Sequence, residues 1–400
     1  MESARTQTAA VTQWKSGGKL GFDAAACLPE RFPGQACGMC ADACPTRAIV
    51  LDAGRPVLRG DCLACGQCTT QCLTGALRVD AFPLPESLPD HAWIHIDCQR
   101  VPSSSVPEHG IRVPCLAGLS AGWLVQAASQ RGSALHLTVR GWCTGCEAGK
   151  SSLNGSAMDK LMAAVTEARL SLFECGFDES HLPVIDFVPT DDALMESLTG
   201  LVDATPPVSR RGFFRQLAGA AVNGAQALKN DGEPLPAPVL SLAGKIVPRE
   251  RLRLVGAMAT LAARHGRQIP ARHLPQLTVA GSCLGHGVCA AVCPTGALQI
   301  DAASDGAGGL SFDPLHCIAC GQCARNCPDR AIRMQPFGGD GAGRQSLIRW
   351  QLSACRTCGS EFPALGGRDQ CPVCSKQALF SRSLAGGVNS LFAQSPPADA

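Results

Sequence analysis

Two stretches of the chain place thiols at intervals suited to a polynuclear metal centre: Cys62-x2-Cys65-x2-Cys68-x3-Cys72 and Cys317-x2-Cys320-x2-Cys323-x3-Cys327-Pro328. Three thiolates on one tight loop can each reach a separate iron of an iron–sulfur cage, while the fourth cysteine opens a helix that faces the other way. Ala64, Gly66, Ala319 and Gly321, set between the ligands, let backbone N–H groups approach the sulfides. Upstream of each run lies a less regular set. The first reads Cys27-x9-Cys37-x2-Cys40-x3-Cys44-Pro45, with an enlarged loop after Cys27. The second reads Cys283-x2-His286-x2-Cys289-x3-Cys293-Pro294, with histidine where a cysteine belongs.

The cysteine tails form a fourfold repeat: Cys44-Pro45-Thr46-Arg47-Ala48-Ile49, Cys72-Leu73-Thr74-Gly75-Ala76-Leu77, Cys293-Pro294-Thr295-Gly296-Ala297-Leu298 and Cys327-Pro328-Asp329-Arg330-Ala331-Ile332. Each copy runs into a short alternating stretch that reads as a strand. The copies come in two pairs, defining modules at 22–84 and 276–337. These modules resemble bacterial-type ferredoxins with paired [4Fe–4S] clusters. The resemblance implies crossed ligation: Cys44 with Cys62, Cys65 and Cys68, and Cys293 with Cys317, Cys320 and Cys323. The partner sets depart from that pattern: Cys27, Cys37, Cys40 and Cys72 are expected for one, with Cys27 as a spectator the alternative, and Cys283, Cys289 and Cys327 for the other. In this last set either His286 binds the fourth iron, or that iron is absent and the site holds [3Fe–4S]. Exchanging a thiolate for neutral imidazole removes one negative charge and is expected to raise the potential.

Cys355-x2-Cys358 and Cys371-x2-Cys374 form two knuckles 12 residues apart, a closed thiolate set suited to structural zinc. The segment 345–382 resembles a zinc ribbon. Cys98, Cys115, Cys143 and Cys146 remain, each following a strand-like run, and are expected to gather at the carboxyl edge of a parallel sheet. Their neighbourhood is similar to the small iron–sulfur delta subunit of methyl-viologen-reducing hydrogenases, which implies a [2Fe–2S] cluster. Another metal site and scattered buried thiols are the alternatives. Cys175 reads as a core thiol.

The elements that must position these groups follow from pattern. Residues 91–190 alternate strand-like segments (His91–Asp97, Ile111–Pro114, Ala134–Val139, Val184–Val188) with helical ones (Ala121–Gln130, Ser156–Glu174), the mark of a small α/β domain. Residues 191–275 read as a basic, partly helical linker, with helical stretches near 210–229 and 248–265, and 383–400 as a disordered tail. From Ser209 to Arg272 there are 11 Lys+Arg against 3 Asp+Glu, so +8 there and −6 elsewhere in a chain of net +2. The predicted class is therefore α+β multidomain: two ferredoxin-like dicluster modules flanking a small α/β domain, plus a C-terminal zinc ribbon.

Composition narrows the function. Twenty-four cysteines in 400 residues exceed ordinary enzyme usage, yet the chain is too long and too apolar (46 % hydrophobic) for a small disulfide scaffold. Near-neutral charge argues against a generic nucleic-acid binder. No secretory signal and no apolar run of membrane-spanning length is present, so a cytoplasmic, reducing location is expected. Ser209-Arg210-Arg211-Gly212-Phe213-Phe214-Arg215 has the form of a twin-arginine signal, but about 200 residues precede it, and an ordinary helix start is the simpler reading. No phosphate-binding glycine loop or nucleophile triad is visible. The expectation is an electron-transfer protein that relays single electrons to or from a larger oxidoreductase, of the molybdenum formate dehydrogenase or hydrogenase type as the family implies. The alternatives are an iron–sulfur assembly or docking factor and a reductase with its active site at Cys143 and Cys146. Redox proteins are the expected partners, with no nucleic acid, no small-molecule substrate, and peripheral membrane docking left open through the basic stretch.

Overall fold

The computed structural model describes residues 12–13, 20–32, 35–188, 244–302, 306–338, 341–378 and 380–381. The Arg210-Arg211 motif, the helical stretch near 210–229 and the tail 383–400 lie outside them.

In the first module the strand Leu20–Phe22 pairs antiparallel with Leu77–Val79, and Ile49–Asp52 forms a hairpin with Arg55–Leu58. The hairpin turns on Ala53 and Gly54, both at positive φ (48° and 82°), the two-residue geometry that matches strand twist. The second module repeats this plan. Gln276–Val279 pairs with Ile332–Gln335, and Leu298–Ala302 with Ala307–Phe312. The strands after all four repeat tails thus form where the alternation predicts them. In the second module the hairpin continues: Ala307–Phe312 also pairs with Gln345–Ala354, which pairs with Glu361–Pro363, giving a four-stranded sheet. The knuckle segment is therefore joined to the second module by backbone hydrogen bonds.

Between the modules lies an all-parallel sheet in the order Ile111–Val113, Trp93–Cys98, Ala134–Val139, Val184–Phe187. Its central strands bury Ile94, Ile96, Leu135 and Leu137 completely. The helix Ala121–Arg131 starts on the Ser120 hydroxyl and stops at Gly132 in the left-handed region (φ 65°). The helix Ala157–Glu174 starts on a reciprocal Ser156–Asp159 capping box. A third helix, Arg249–Arg264, falls within the segment read as linker. It packs on Ala121–Arg131 and adds Val255, Met258, Leu261 and Ala262 to the same core, followed by Ile269 and Leu274. Each such side chain contributes about 1.5–3 kcal/mol by leaving water, so residues 249–274 act structurally as part of the α/β layer. They look like linker in sequence because the helix carries four arginines, Arg249, Arg251, Arg253 and Arg264, of which only the first and last are exposed.

Candidate metal centres

In the first module one small cavity is lined by Cys44, Cys62, Cys65 and Cys68, and a second by Cys27, Cys37, Cys40 and Cys72. In the second module Cys293, Cys317, Cys320 and Cys323 line a third. The local backbone explains the convergence. Ala64 and Ala319 sit at φ 51° and 52°, and Gly66 and Gly321 at 78° and 74°. Alternating left-handed residues curl each loop so that its three sulfurs face inward. An alanine held there costs on the order of 1 kcal/mol and persists only where surroundings impose it. The curl also aims N–H groups at sulfur: Ala64 N–H to Cys62 Sγ and Ala319 N–H to Cys317 Sγ, both 3.4 Å. Ala76 N–H meets Cys72 Sγ at 3.2 Å and Ala331 N–H meets Cys327 Sγ at 3.3 Å.

The fourth set is built on the same loop. Gly285 and Gly287 stand at φ 72° and 73°, so His286 occupies the backbone place of Cys65 and Cys320. Cys283 and Cys327 are close enough to Cys289 to raise its thiol, after burial, to about 11.

The chemistry of these sets fits a cationic guest. Burial pushes the thiols of Cys40 and Cys323 up to about 12 and those of Cys27, Cys65 and Cys317 to about 11, with neighbouring sulfurs adding to the rise. All 24 cysteines are free thiols. Converging, desolvated sulfurs become thiolates only around positive charge, which iron supplies, and binding releases protons.

The structure gathers Cys98, Cys115, Cys143 and Cys146 around one cavity at the carboxyl end of the parallel strands, and Cys65 of the first module reaches the same wall. This cavity is open and, at about 460 Å³, far roomier than the sulfur cages, which hold about 20 to 30 Å³ each. Burial and then the Cys65 sulfur raise the Cys115 thiol to about 12. Cys175 is fully buried in the core, as read from sequence.

No sequence motif marks the seam that joins this cavity to the first module. Lys160, 8 % exposed, donates to Ala43 O (3.0 Å), Gln67 Oε1 (2.8 Å) and Ser152 Oγ (2.8 Å). Gln67 in turn donates to Ala148 O at 2.6 Å. Burial lowers the lysine's pKa, opposed by the Cys65, Cys44 and Cys115 sulfurs around it. A lysine in a helix gives no sequence signal of this kind; only its position opposite two thiol sets makes it notable. No motif marks Arg251 either. It reaches across to His273 O and Pro314 O and lies near Cys317.

Cys355, Cys358, Cys371 and Cys374 hold their sulfurs within 4.8 Å of one another, the one ligand group so tight among the described residues. Cys371 N–H donates to Cys355 Sγ at 3.2 Å and lowers that thiol to about 6, whereas the neighbouring sulfurs push Cys374 up to about 12. Phe362 closes the small core beneath them.

A family model for the 4Fe-4S binding domain matches residues 310–333, which hold Cys317, Cys320, Cys323 and Cys327. The chain is also similar to one subunit of the Na(+)-translocating ferredoxin:NAD(+) oxidoreductase complex of Acetobacterium woodii, 42 % identical over 55 residues. That stretch is 14 % of this chain and 15 % of the relative. The matches and the sulfur cages together support an iron–sulfur electron-transfer protein with ferredoxin-type modules and [4Fe–4S] cofactors. Among the described residues no helix is long and apolar enough to cross a membrane.

Proposed function

We propose that the chain is a relay for single electrons, carrying four cubane-type centres in two dicluster modules. The reading rests chiefly on one observation: three separate cavities are each lined by the four cysteines that crossed ligation would pair. On this reading Cys44/Cys62/Cys65/Cys68, Cys27/Cys37/Cys40/Cys72 and Cys293/Cys317/Cys320/Cys323 hold [4Fe–4S] groups, and Cys283/Cys289/Cys327 with His286 the fourth. Such groups accept and return one electron each when bound. The chain's residues do the rest. Their N–H groups stabilise the added negative charge at sulfur, apolar neighbours such as Leu20, Leu77 and Leu298 exclude water, and rigid loops keep reorganisation small.

Cys98, Cys115, Cys143 and Cys146 are assigned a further, binuclear centre, and Cys355, Cys358, Cys371 and Cys374 a structural zinc ion. The tight sulfur spacing of the latter supports a single ion, in contrast to the roomier cages. A larger redox complex is the proposed partner, by analogy with the complex named for the relative. A second reading, a reductase site at Cys143 and Cys146, draws on the open cavity that these two share with Arg100.

The test is iron, sulfide and zinc analysis of protein purified without oxygen, with spectra during reductive titration. About 16 irons and one zinc fit four cubanes, about 15 one incomplete cubane, and two more a binuclear centre. A colourless, iron-free preparation overturns the proposal. Turnover of a substrate by reduced protein, abolished in Cys143→Ser, would favour the reductase.

A further inference from the structure

Three of the four repeat tails place threonine two residues after the cysteine, and its hydroxyl lies against that cysteine's sulfur. Thr46 Oγ1 is 3.6 Å from Cys44 Sγ, Thr74 Oγ1 3.7 Å from Cys72 Sγ, and Thr295 Oγ1 3.8 Å from Cys293 Sγ. The fourth tail has Asp329 in that place. By the crossed pattern this tail serves the same cluster as the His286 loop, so the exchange of threonine for aspartate and that of cysteine for histidine fall on one centre.

The structure brings them together. Asp329 Oδ2 accepts the Leu284 N–H at 3.2 Å, from within the loop that carries His286. The same oxygen stands 3.3 Å from His286 Nε2, with both side chains largely buried (14 % and 19 % exposed). Nε2 lies off any hydrogen-bond line and has no other polar partner, so a carboxylate charge faces an imidazole in a poorly hydrated place. A buried carboxylate is costly unless it serves a charge balance. Threonine, used at the other three positions, would avoid that cost.

We infer that Asp329 is the charge partner and positioning residue of His286, supplying beside the imidazole the negative charge that a cysteine would bring to that corner. The inference rests on the reading that Cys283, Cys289 and Cys327 hold a cluster. Replacing thiolate by imidazole takes away one negative charge; Asp329 restores it from outside the ligand set. His286 and Asp329 therefore form a compensating pair, and the potential of this centre is held near those of its neighbours rather than lifted away. Carboxylates that orient metal-bound histidines are a recurrent device. Here the carboxylate also sets the count of charge.

The test is a double-mutant cycle read by redox titration under electron paramagnetic resonance. Asp329→Thr, which installs the residue of the other three tails, is expected to raise the potential of one centre by at least about tenfold in its reduction equilibrium, 59 mV for one electron. His286→Cys is expected to lower it by a similar factor, and the double variant to return near wild type. Should Asp329→Thr fail to assemble, Asp329→Asn keeps an oxygen for the Leu284 N–H while removing the charge, and the same rise is expected. Unchanged potentials in Asp329→Thr or Asp329→Asn, or a double variant that stays at the His286→Cys value, overturn the inference while leaving the cluster reading intact. Cys289→Ala, which leaves no donor atom, separates the two failures: if it removes neither iron nor signal, no cluster is held there, and both fall.

Discussion

The packing of the first module against the α/β domain makes a sharp demand at Gly118. This residue ends the turn Leu116–Gly118, is buried, and lies against the backbone of Cys65. A Cβ added there would stand 2.2 Å from the Cys65 carbonyl oxygen and 2.4 Å from Phe82 Cζ. The phenylalanine ring can rotate aside. The carbonyl cannot, because Cys65 is fixed between its loop and Gly66 at φ 78°. Relief therefore requires the two backbones to part by about 1 Å, and overpacking of this kind costs about 1–3 kcal/mol. Gly118→Ala is expected to lower the thermal midpoint of the α/β domain by several degrees and to perturb the Cys65 centre in anaerobic visible spectra. Gly256→Ala is the control. It sits exposed in the helix Arg249–Arg264 with nothing within 4 Å of its Cβ, and is expected to add about 0.5–1 kcal/mol. A Gly118→Ala protein with the wild-type midpoint and spectrum, beside a stabilised Gly256→Ala, would refute this account of the seam.

Three further outcomes are expected. Lys160→Met strips hydrogen bonds from three acceptors, Ala43 O, Gln67 Oε1 and Ser152 Oγ; at about 1–3 kcal/mol each, partly offset by relieving a buried ammonium, the net loss is about 2–4 kcal/mol. Losing that positive charge should also lower the potential of the Cys65 centre, and an unmoved potential would show that the ammonium is not near enough to matter. His273, buried and beside Arg272, has its pKa lowered from 6.5 to about 4. The unfolded chain then takes up a proton that the folded chain refuses, so this stability is present above pH 6.5 and falls away by about 3 kcal/mol as pH drops towards 4. Denaturant titrations of His273→Gln should show that much less acid sensitivity than wild type. Cys358→Ser should abolish bound zinc and loosen the segment 345–381 without changing iron content; lost iron would mean that the knuckles serve a cluster.

Which features could be read from sequence depends on whether their cause was local. The cysteine loops were legible because their spacing is itself the geometry, and the parallel sheet because Ile94, Ile96, Leu135 and Leu137 show strand patterning. The helix Arg249–Arg264 was located but its role was not. Its arginines raise local charge and hide the Val255, Met258 and Leu261 stripe, and what that stripe packs on, Ala121–Arg131, lies more than a hundred residues away. Lys160, Gly118 and Asp329 share this property. Each is ordinary in its own segment and gains meaning only from a distant partner: Gln67, Cys65 and His286. The ion pair of Arg140 with the buried Asp97, bidentate at 3.0 Å, is a further case, bracing the end of the strand that leads to Cys98.

The two modules share one topology yet end differently, and a single residue accounts for much of the difference. In the first hairpin Pro56 pairs with Leu51; in the second the corresponding pair is Leu310 with Ile300. Proline has no N–H to offer a further strand and blunts a sheet edge. Leu310 keeps its N–H, and across the far side of its strand it faces Ile348 of Gln345–Ala354. Gly308 sharpens the contact, since a Cβ there would lie 2.4 Å from the Trp350 indole nitrogen. The knuckle segment is thereby fixed to the second module and not the first. Its last strand ends at Pro363, against which a Cβ on Gly285 would stand 2.6 Å away. Gly285 belongs to the loop that carries His286, so the edge left open by Leu310 brings the C-terminal segment over the ligand loop in which histidine replaces cysteine. Placed there, the segment limits water at the pair whose charge balance depends on being poorly hydrated.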